Sequence, residues 1–393
     1  MKQSSINPWL VVLGTVIVQI GIGTIYTWSL FNQPLVSKYG WSLNAVAITF
    51  SITGFSLAFS TLFASKLQEK WGLRKLIMIA GLALGIGLML SSQVSSLPML
   101  YVLVGVVVGY ADGTAYITSL SNLIKWFPER KGLIAGISVS AYGTGSLIFK
   151  YINAKFIDSV GVSQAFLYWG LIVAVMIVIG ACFIHKAAEQ DTVHETKSHD
   201  YTTREMLRTK EVYLLFIMLF TSCMSGLYLI GMVKDIGVKL VGLSVATAAN
   251  AVAMVAIFNT IGRIILGPLS DKIGRLKIVS ATFVVIAMSV FVLSFVDLNY
   301  SIYFACVASV AFCFGGNITI FPAIVGDFFG LKNHSKNYGI VYQGFGFGAL
   351  AGSFIGAILG GFKPTFMVIG VLCVVSFIIA AQRKHFKFYY ILK

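Results

Sequence analysis

Two ionisable side chains stand out because each interrupts a long apolar stretch: Arg263 and Asp112. Charged groups are costly in apolar surroundings, so such residues are functional candidates. A guanidinium stays protonated and can hold a carboxylate through two parallel hydrogen bonds. Arg263 is therefore predicted to bind an organic anion, with Asn259, four residues earlier on the same helical face, orienting it. The alternative interpretation is that Arg263 pairs with Asp271 or with a helix end.

Asp112 lies in the run Gly-Tyr-Ala-Asp-Gly-Thr at residues 109–114. While ionised it cannot bind an anion, but burial disfavours the charged form of a carboxyl group. The residue is therefore the candidate proton carrier. A buried aspartate that is hydrogen-bonded to a neighbouring helix is the alternative, and the sequence does not decide between the two.

Aromatic and amide side chains are predicted to complete the binding site. Tyr26 and Trp28 lie near the end of the first apolar stretch, Tyr228 lies in the corresponding stretch of the second half, and Gln343 precedes a glycine-rich run. Hydroxyl and amide donors can satisfy the oxygens of a carboxylate, so these four residues are predicted to shape a pocket. The alternative for the aromatic residues is an ordinary place at a membrane–water interface.

These residues are carried by twelve apolar stretches, each long enough to cross a bilayer with about 20 residues. The chain of 393 residues is 58% hydrophobic and 11% charged, a composition far from that of soluble domains. The second half repeats the first at an offset of about 202 residues, so that Gly40 and Ser42 return as Gly242 and Ser244. We predict an all-α membrane protein of twelve transmembrane helices, arranged as two pseudo-symmetric six-helix bundles around a central cavity.

The predicted division is an N-terminal bundle over residues 1–186, a cytoplasmic linker over 187–211, and a C-terminal bundle with a short tail over 212–393. The linker is polar, and its histidines lack the spacing of metal ligands. The sequence shows no nucleophile–base pair, metal cluster or cofactor motif, so we expect neither an enzyme nor a cofactor. Because the two bundles enclose a complete cavity, a monomer is expected to suffice.

The net charge of +15 does not point to nucleic acid as a partner, because the basic residues are concentrated on one side of the predicted membrane. Basic clusters follow the second, fourth, eighth, tenth and twelfth apolar stretches, whereas the opposite loops hold few. Basic loops stay on the cytoplasmic side of a lipid bilayer. Both termini are therefore predicted to be cytoplasmic.

One turn carries a resemblance to a known superfamily. The run GPLSDKIGR at residues 267–275 resembles the turn after the eighth helix of the major facilitator superfamily, and LQEKWGLRK at residues 67–75 is a weaker copy. In that superfamily the acidic residue and the basic cluster of this turn hold the cytoplasmic side closed. The resemblance implies that fold, and a cytoplasmic gate formed by Glu69, Lys70, Arg74, Asp271, Lys272 and Arg275.

Three further stretches, at residues 26–31, 125–132 and 259–263, resemble the oxalate:formate antiporter family within that superfamily. The last stretch carries Arg263 at the position of the family's substrate-binding arginine. Phe345 departs from the family, since it stands where the oxalate transporters have a lysine. One missing cation implies a monocarboxylate substrate, because an unpaired buried carboxylate is strongly destabilising.

The runs at residues 120–122, 126–134 and 336–339 resemble those of the bacterial inner-membrane pyruvate:proton symporters of this family. This resemblance implies a multi-pass protein of a bacterial cytoplasmic membrane. The expected function is secondary active transport of a small monocarboxylate, pyruvate first and lactate or formate next, in symport with a proton by alternating access. A dicarboxylate:monocarboxylate anion exchanger is the main alternative. A multidrug exporter fits less well, and so does a protein of another class, a transporter-like membrane sensor.

Overall fold

The structure is a computed structural model that describes residues 7–127, 131–187, 200–330 and 333–382. Within these ranges the regular structure is helical, without a strand. The first half contains the helices Pro8–Gly23, Ser29–Tyr39, Leu43–Trp71, Leu73–Leu90, Leu97–Leu100, Gly109–Trp126 and Lys131–Phe183, with the 3-10 segments Thr24–Thr27 and Ser91–Gln93 and the π-helical segment Tyr101–Val108 between some of them. The second half contains the helices Thr203–Met206, Lys210–Val241, Val245–Ile273, Arg275–Phe295, Tyr300–Phe329, His334–Val341, Gln343–Leu359 and Phe362–Ala381.

Among the described residues, eleven helical segments are long and apolar enough to cross a membrane. One of them, Leu133–Phe183, has 51 residues, more than twice the ~20 residues that one crossing needs. Its backbone leaves the helical region at Gly161, where φ is +79°, so this segment forms the fifth and sixth spans. The prediction of an all-α membrane protein with about twelve spans is confirmed, and the spans are numbered below in chain order.

The internal repeat is visible in the backbone after the first and seventh spans. Gly40 and Gly242 end these spans in the left-handed region, with φ of 69° and 71°. Ser42 and Ser244 then cap the next helices by accepting a hydrogen bond from the backbone N–H three residues later. Glycine tolerates the left-handed region and serine is a preferred N-cap. The same local sequence therefore makes the same turn in both halves.

Two glycines at repeat-related positions bring the central helices close together. A Cβ on Gly113 of the fourth span would lie 2.0 Å from the carbonyl oxygen of Leu57 in the second span. A Cβ on Gly315 of the tenth span would lie 2.1 Å from the carbonyl oxygen of Asn259 in the eighth. Glycine permits this approach of two backbones, as is common between membrane helices. The contacts fix the helices that carry the two charged candidates.

The halves meet through the second and eleventh spans and through the fifth and eighth, two pairs that the repeat interchanges. The first and seventh spans also touch at one end of the bundle. We call that end, which carries residues 32–40 and 235–242, the Asp235 end. The other end, which carries the turns at 67–75 and 267–277, is the basic end. A small cavity remains between the halves.

The division into residues 1–186, 187–211 and 212–393 stays a prediction. Residues 188–199 of the linker and residues 383–393 of the tail lie outside the described residues. The described part of the linker contains the short helix Thr203–Met206, which begins with a capping box between Thr202 and Glu205. The seventh span begins at Lys210.

Candidate functional site

The cavity between the halves receives residues from both of them. Its wall is formed by Tyr26, Leu57, Tyr116, Val139, Tyr142, Arg263, Ile318, Tyr342 and Phe345. The free space admits a water-sized sphere over about 10 Å³, which is the room of roughly one water molecule. We call this arrangement, with so little room between the halves, the closed state, and a larger occupant requires the wall residues to move apart.

Opposite parts of this wall are related by the internal repeat. Tyr116 and Ile318 occupy equivalent positions in the two halves, and so do Tyr142 and Phe345. The two charged candidates, in contrast, have uncharged counterparts at their equivalent positions. The first half therefore supplies the acid and the second half the cation, which makes a symmetric frame chemically asymmetric.

Arg263 lines the cavity and is 1% exposed. Its Nη1 donates to the backbone carbonyl of Val139 in the other half, and its Cζ lies 5.9 Å from the ring centroid of Tyr142. Its Nε is buried without a hydrogen-bond partner. Among the described residues no carboxylate lies within ion-pairing distance of the guanidinium. A buried cation with an unused donor is suited to an anion, since such groups are costly when unpaired.

Asp112 is fully buried in the fourth span. The Tyr142 hydroxyl donates to its carboxyl group, at 3.2 Å from Oδ2 and 3.4 Å from Oδ1. Tyr142 belongs to the fifth span, so the hydrogen bond to a neighbouring helix that the sequence left open is present. Because Tyr142 also lines the cavity, this bond joins Asp112 to the wall.

Four tyrosines, Tyr26, Tyr116, Tyr142 and Tyr342, crowd around the cavity. The ring centroid of Tyr142 lies 5.1 Å from that of Tyr26 and 5.8 Å from that of Tyr116, and Tyr116 stacks on Tyr342 at 6.1 Å. The Tyr116 hydroxyl is buried without a hydrogen-bond partner. Phenolic hydroxyls can donate to the second oxygen of a carboxylate held by a guanidinium.

Of these tyrosines, the sequence predicts only Tyr26. A signal for Tyr116 exists, because it follows Asp112 by four residues and so lies on the same helical face. Tyr342 precedes Phe345 by three residues and so has a similar signal. No comparable signal separates Tyr142 from the rest of the 17 tyrosines in the chain. The convergence of these tyrosines arises from tertiary packing.

Trp28 and Tyr228 lie away from the cavity in this state. Trp28 is fully buried and stacks on Phe31 at 6.1 Å inside the first half. Tyr228 packs edge-on against Phe366 of the last span, at a centroid distance of 5.8 Å. Residues two apart in a helix do not face the same way, so Tyr26 and Trp28 do not share the wall.

Gln343 and Asn259 lie next to the wall. Gln343 donates through Nε2 to the carbonyl of Ala58 at 2.9 Å and so joins the eleventh span to the second. Asn259 precedes the arginine by one helical turn and donates to the carbonyl of Ala311 at 3.3 Å, while its Oδ1 is buried without a hydrogen-bond partner. Both residues are therefore placed to position wall residues.

The predicted gate residues lie at the basic end. Arg275 pairs with Asp271 at 2.7 Å and with Asp327, and Arg74 contacts Nε2 of His185 at 2.9 Å. These contacts each stay within one half. The remaining members, Glu69, Lys70 and Lys272, are exposed. A gate between the halves at this end stays a prediction.

A polar contact closes the Asp235 end between the halves. Asp235 is fully buried and accepts hydrogen bonds from Nδ2 of Asn32 at 3.0 Å and from Nε2 of Gln33 at 2.7 Å. Asn32 also donates to the carbonyl of Gly231 at 3.0 Å. We call the three side chains Asn32, Gln33 and Asp235 the Asp235 latch, because they join the first span to the seventh.

Several known proteins are similar in sequence to this chain over most of its length. The model of the Major Facilitator Superfamily matches residues 11–307 and 214–384. The chain is 44% identical to the uncharacterized MFS-type transporter YhjX of Escherichia coli, over 87% of this chain and 86% of that protein. It is 28% identical to the oxalate:formate antiporter of Oxalobacter formigenes, over 95% and 91%, and 24% identical to monocarboxylate transporter 12 of Xenopus laevis, over 85% and 78%. With its two repeat-related halves and the cavity between them, the chain belongs to the major facilitator superfamily of membrane transporters.

Proposed function

We propose that this transporter carries a small monocarboxylate, pyruvate first and lactate or formate next, together with a proton across a bacterial cytoplasmic membrane. The observation that carries the proposal is the state of Arg263. Its guanidinium is buried in the cavity between the halves, its Nε is unused, and no described carboxylate pairs with it. One unpaired cation in the wall suits one carboxylate.

Phe345 supports a monoanion rather than a dianion. It lies in the wall, at the position where the resemblance to the oxalate:formate antiporters places a lysine. Among the described residues of the wall, Arg263 is the one cation. A dicarboxylate would therefore bury a second negative charge without a partner, which is strongly destabilising.

In the binding step, the guanidinium of Arg263 exchanges one hydrogen-bond acceptor for another. An entering carboxylate replaces the carbonyl of Val139 and takes up the unused Nε, while Tyr26 and Tyr116 donate their hydroxyls. Asn259 and Gln343 hold the helices behind the wall. Asp112 carries the proton, since the neutral form of a buried carboxyl is less costly to move across a membrane than the ionised form.

Release requires the two halves to rock about the site. The Asp235 latch joins the halves on the side predicted to be external, and Glu69, Lys70, Arg74, Asp271, Lys272 and Arg275 act as the gate on the cytoplasmic side. Opening one end while the other stays closed exposes the cavity to one solution at a time. The coupling of a proton to an anion makes this cycle an importer under an inward proton gradient.

An exchanger of two carboxylates is the second candidate, favoured by the similarity to the oxalate:formate antiporter over 95% of this chain. An obligatory exchanger and a symporter differ in what they need on the far side of the membrane. The exchanger requires an anion there, whereas the symporter requires a proton gradient.

Uptake of labelled pyruvate into proteoliposomes containing the purified chain separates the two. We expect accumulation when the outside is acidic relative to the inside, and its collapse when a protonophore dissipates the gradient. Vesicles preloaded with oxalate or formate, without a pH gradient, provide the comparison. Uptake that depends on the preloaded anion alone would establish exchange, and no pyruvate uptake under either condition would refute the proposed substrate.

A further inference from the structure

Tyr142 contacts both Asp112, the acid, and Arg263, the cation of the cavity. Its hydroxyl donates to Asp112 at 3.2 Å, and its ring lies beneath the guanidinium of Arg263, with 5.9 Å between the ring centroid and Cζ. The three groups come from the fifth, fourth and eighth spans, so they join both halves. Tyr142 is 3% exposed, which leaves its hydroxyl no bulk water to turn to.

The surroundings of Asp112 contain few other groups that titrate. On its own span the neighbour is Tyr116, and from the first span it is Tyr26. Arg263 lines the same cavity as these tyrosines. The second span contributes serines that do not titrate, such as Ser60 beside Gly113, and the basic residues of the third span are at its first turn. Tyr142 is the hydrogen-bond donor to the carboxyl group among the described residues.

A phenol has a single O–H to donate. An ionised carboxylate is an acceptor only, so ionised Asp112 holds the O–H of Tyr142 to itself. A protonated carboxyl has an O–H of its own and can donate it to the phenolic oxygen instead. The Tyr142 O–H is then free to turn toward an anion on Arg263.

We propose that Tyr142 couples the proton to the anion, because Asp112 and the carboxylate of the substrate compete for its one hydroxyl proton. This inference rests on the proposed function and names the residue that links its two ligands. The only chemical step is the binding of one proton to Asp112 from solution, and Tyr142 keeps its own proton throughout. Protonation of Asp112 strengthens binding of the anion, and binding of the anion strengthens binding of the proton by the same factor.

The pH dependence of pyruvate binding to the purified full-length protein tests this coupling. In the wild type we expect the affinity to fall as pH rises through the titration of Asp112, by up to about tenfold per pH unit for one linked proton. Tyr142→Phe removes the contested hydroxyl, so its affinity should not change with pH and should stay near the weak, alkaline value of the wild type. Asp112→Asn offers an amide N–H to the phenolic oxygen, so its affinity should also be independent of pH but near the strong, acidic value.

Tyr101→Phe is the matched control. It removes a hydroxyl from the same span as Asp112, one that donates to the carbonyl of Ala45 at 2.7 Å and does not line the cavity, so the pH dependence should be that of the wild type. A structural role for Tyr142 would weaken binding at every pH and leave the slope intact. If Tyr142→Phe does not reach the membrane, an Asp112→Asn variant that keeps the pH slope still overturns the coupling.

The outcomes are distinguishable from those of the proposed function. A wild type that binds no pyruvate at any pH refutes the proposed function and this coupling with it. A wild type that binds pyruvate, with a Tyr142→Phe or Asp112→Asn variant that keeps the full pH slope, overturns the coupling and leaves the substrate assignment standing.

Discussion

In the proposed function, Arg263 determines the binding chemistry because its guanidinium is poorly satisfied in the closed state. Taking a charged group out of water costs several kcal/mol unless it is paired and hydrogen-bonded. The partners that the structure provides are one backbone carbonyl and the face of Tyr142. The Nε of Arg263 and the hydroxyl of Tyr116 are buried without a hydrogen-bond partner. The closed site lacks an acceptor, and a carboxylate supplies one.

Phe345→Lys should convert the monoanion site toward a dianion site. A second cation in the wall gives the second carboxylate of oxalate a partner, while it leaves an uncompensated charge when pyruvate is bound. We expect the affinity for oxalate to rise by at least about tenfold, or ~1.4 kcal/mol, and that for pyruvate to fall. Competition of unlabelled oxalate against labelled pyruvate measures both changes.

Phe345→Leu is the control for this substitution, since it removes the ring without adding charge. Its preference for pyruvate over oxalate should be that of the wild type. If Phe345→Lys and Phe345→Leu show the same preference, the charge at this position does not select the substrate.

The sequence was informative at this scale where a residue type conflicts with its surroundings. Arg263 and Asp112 are conspicuous because charge in an apolar stretch is rare, and the structure places both at the cavity or one contact from it. Tyr142 carries no such conflict, since tyrosine is common in apolar helices. Its importance comes from two neighbours on other spans, which the chain order does not reveal.

Local sequence predicts where each helix begins and ends. It does not predict how each helix is rotated about its own axis, and therefore which side chains face the cavity. Hydropathy and the repeated Gly40 and Gly242 caps specify where spans begin and end. The direction in which each side chain points depends on the packing of that helix against its neighbours. Tyr228 illustrates the difference: it corresponds to Tyr26 in the repeat, yet it faces the last span instead of the cavity.

The Asp235 latch is a contact between two helices, and it should control opening of the bundle at the Asp235 end. Asp235→Ala removes the acceptor of both Asn32 and Gln33, and hydrogen bonds to a charged group are worth about 1.5–3 kcal/mol each. With Ile318→Cys in the cavity wall as a reporter, we expect a membrane-impermeant thiol reagent applied from the outside to label the variant at least about tenfold faster, since the loss of one such bond already shifts a population by about that factor.

Asn299→Ala, combined with the same reporter, controls for general loosening of this region. Asn299 caps the tenth span by accepting from the backbone N–H of Ile302 at 2.9 Å, a contact within one half. Its loss should leave the labelling rate unchanged. Equal labelling of the Asp235→Ala variant and its parent would mean that the latch does not hold the halves together.

In the whole molecule, the helices of the two halves are arranged symmetrically, whereas the charged residues of the site are not. The repeat interchanges the contacts between the second and eleventh spans and between the fifth and eighth, so similar surfaces can close either end. The site breaks that symmetry, with Asp112 in one half and Arg263 in the other. Under the proposed function, the anion would therefore bind in the second half and the proton in the first, so that the two ligands engage different halves.

The overall architecture is the part of the account that the sequence predicts most completely, because a repeat and twelve apolar stretches constrain it along the whole chain. The small size of the cavity, which has room for roughly one water molecule, is a property of one conformational state. Sequence patterns specify both the closed and the open states at once. They cannot indicate which of them a structure will describe.

Whether Arg263 binds the substrate is tested by uptake of labelled pyruvate, driven by an inward proton gradient, in proteoliposomes that hold equal amounts of wild-type and Arg263→Ala protein. Arg208→Ala, which removes an exposed arginine outside the spans, is the matched control and should transport like the wild type. We predict that Arg263→Ala loses uptake by at least about a hundredfold, or ~2.8 kcal/mol, while still reaching the membrane. Undiminished pyruvate uptake by the Arg263→Ala variant would show that this arginine does not bind the substrate.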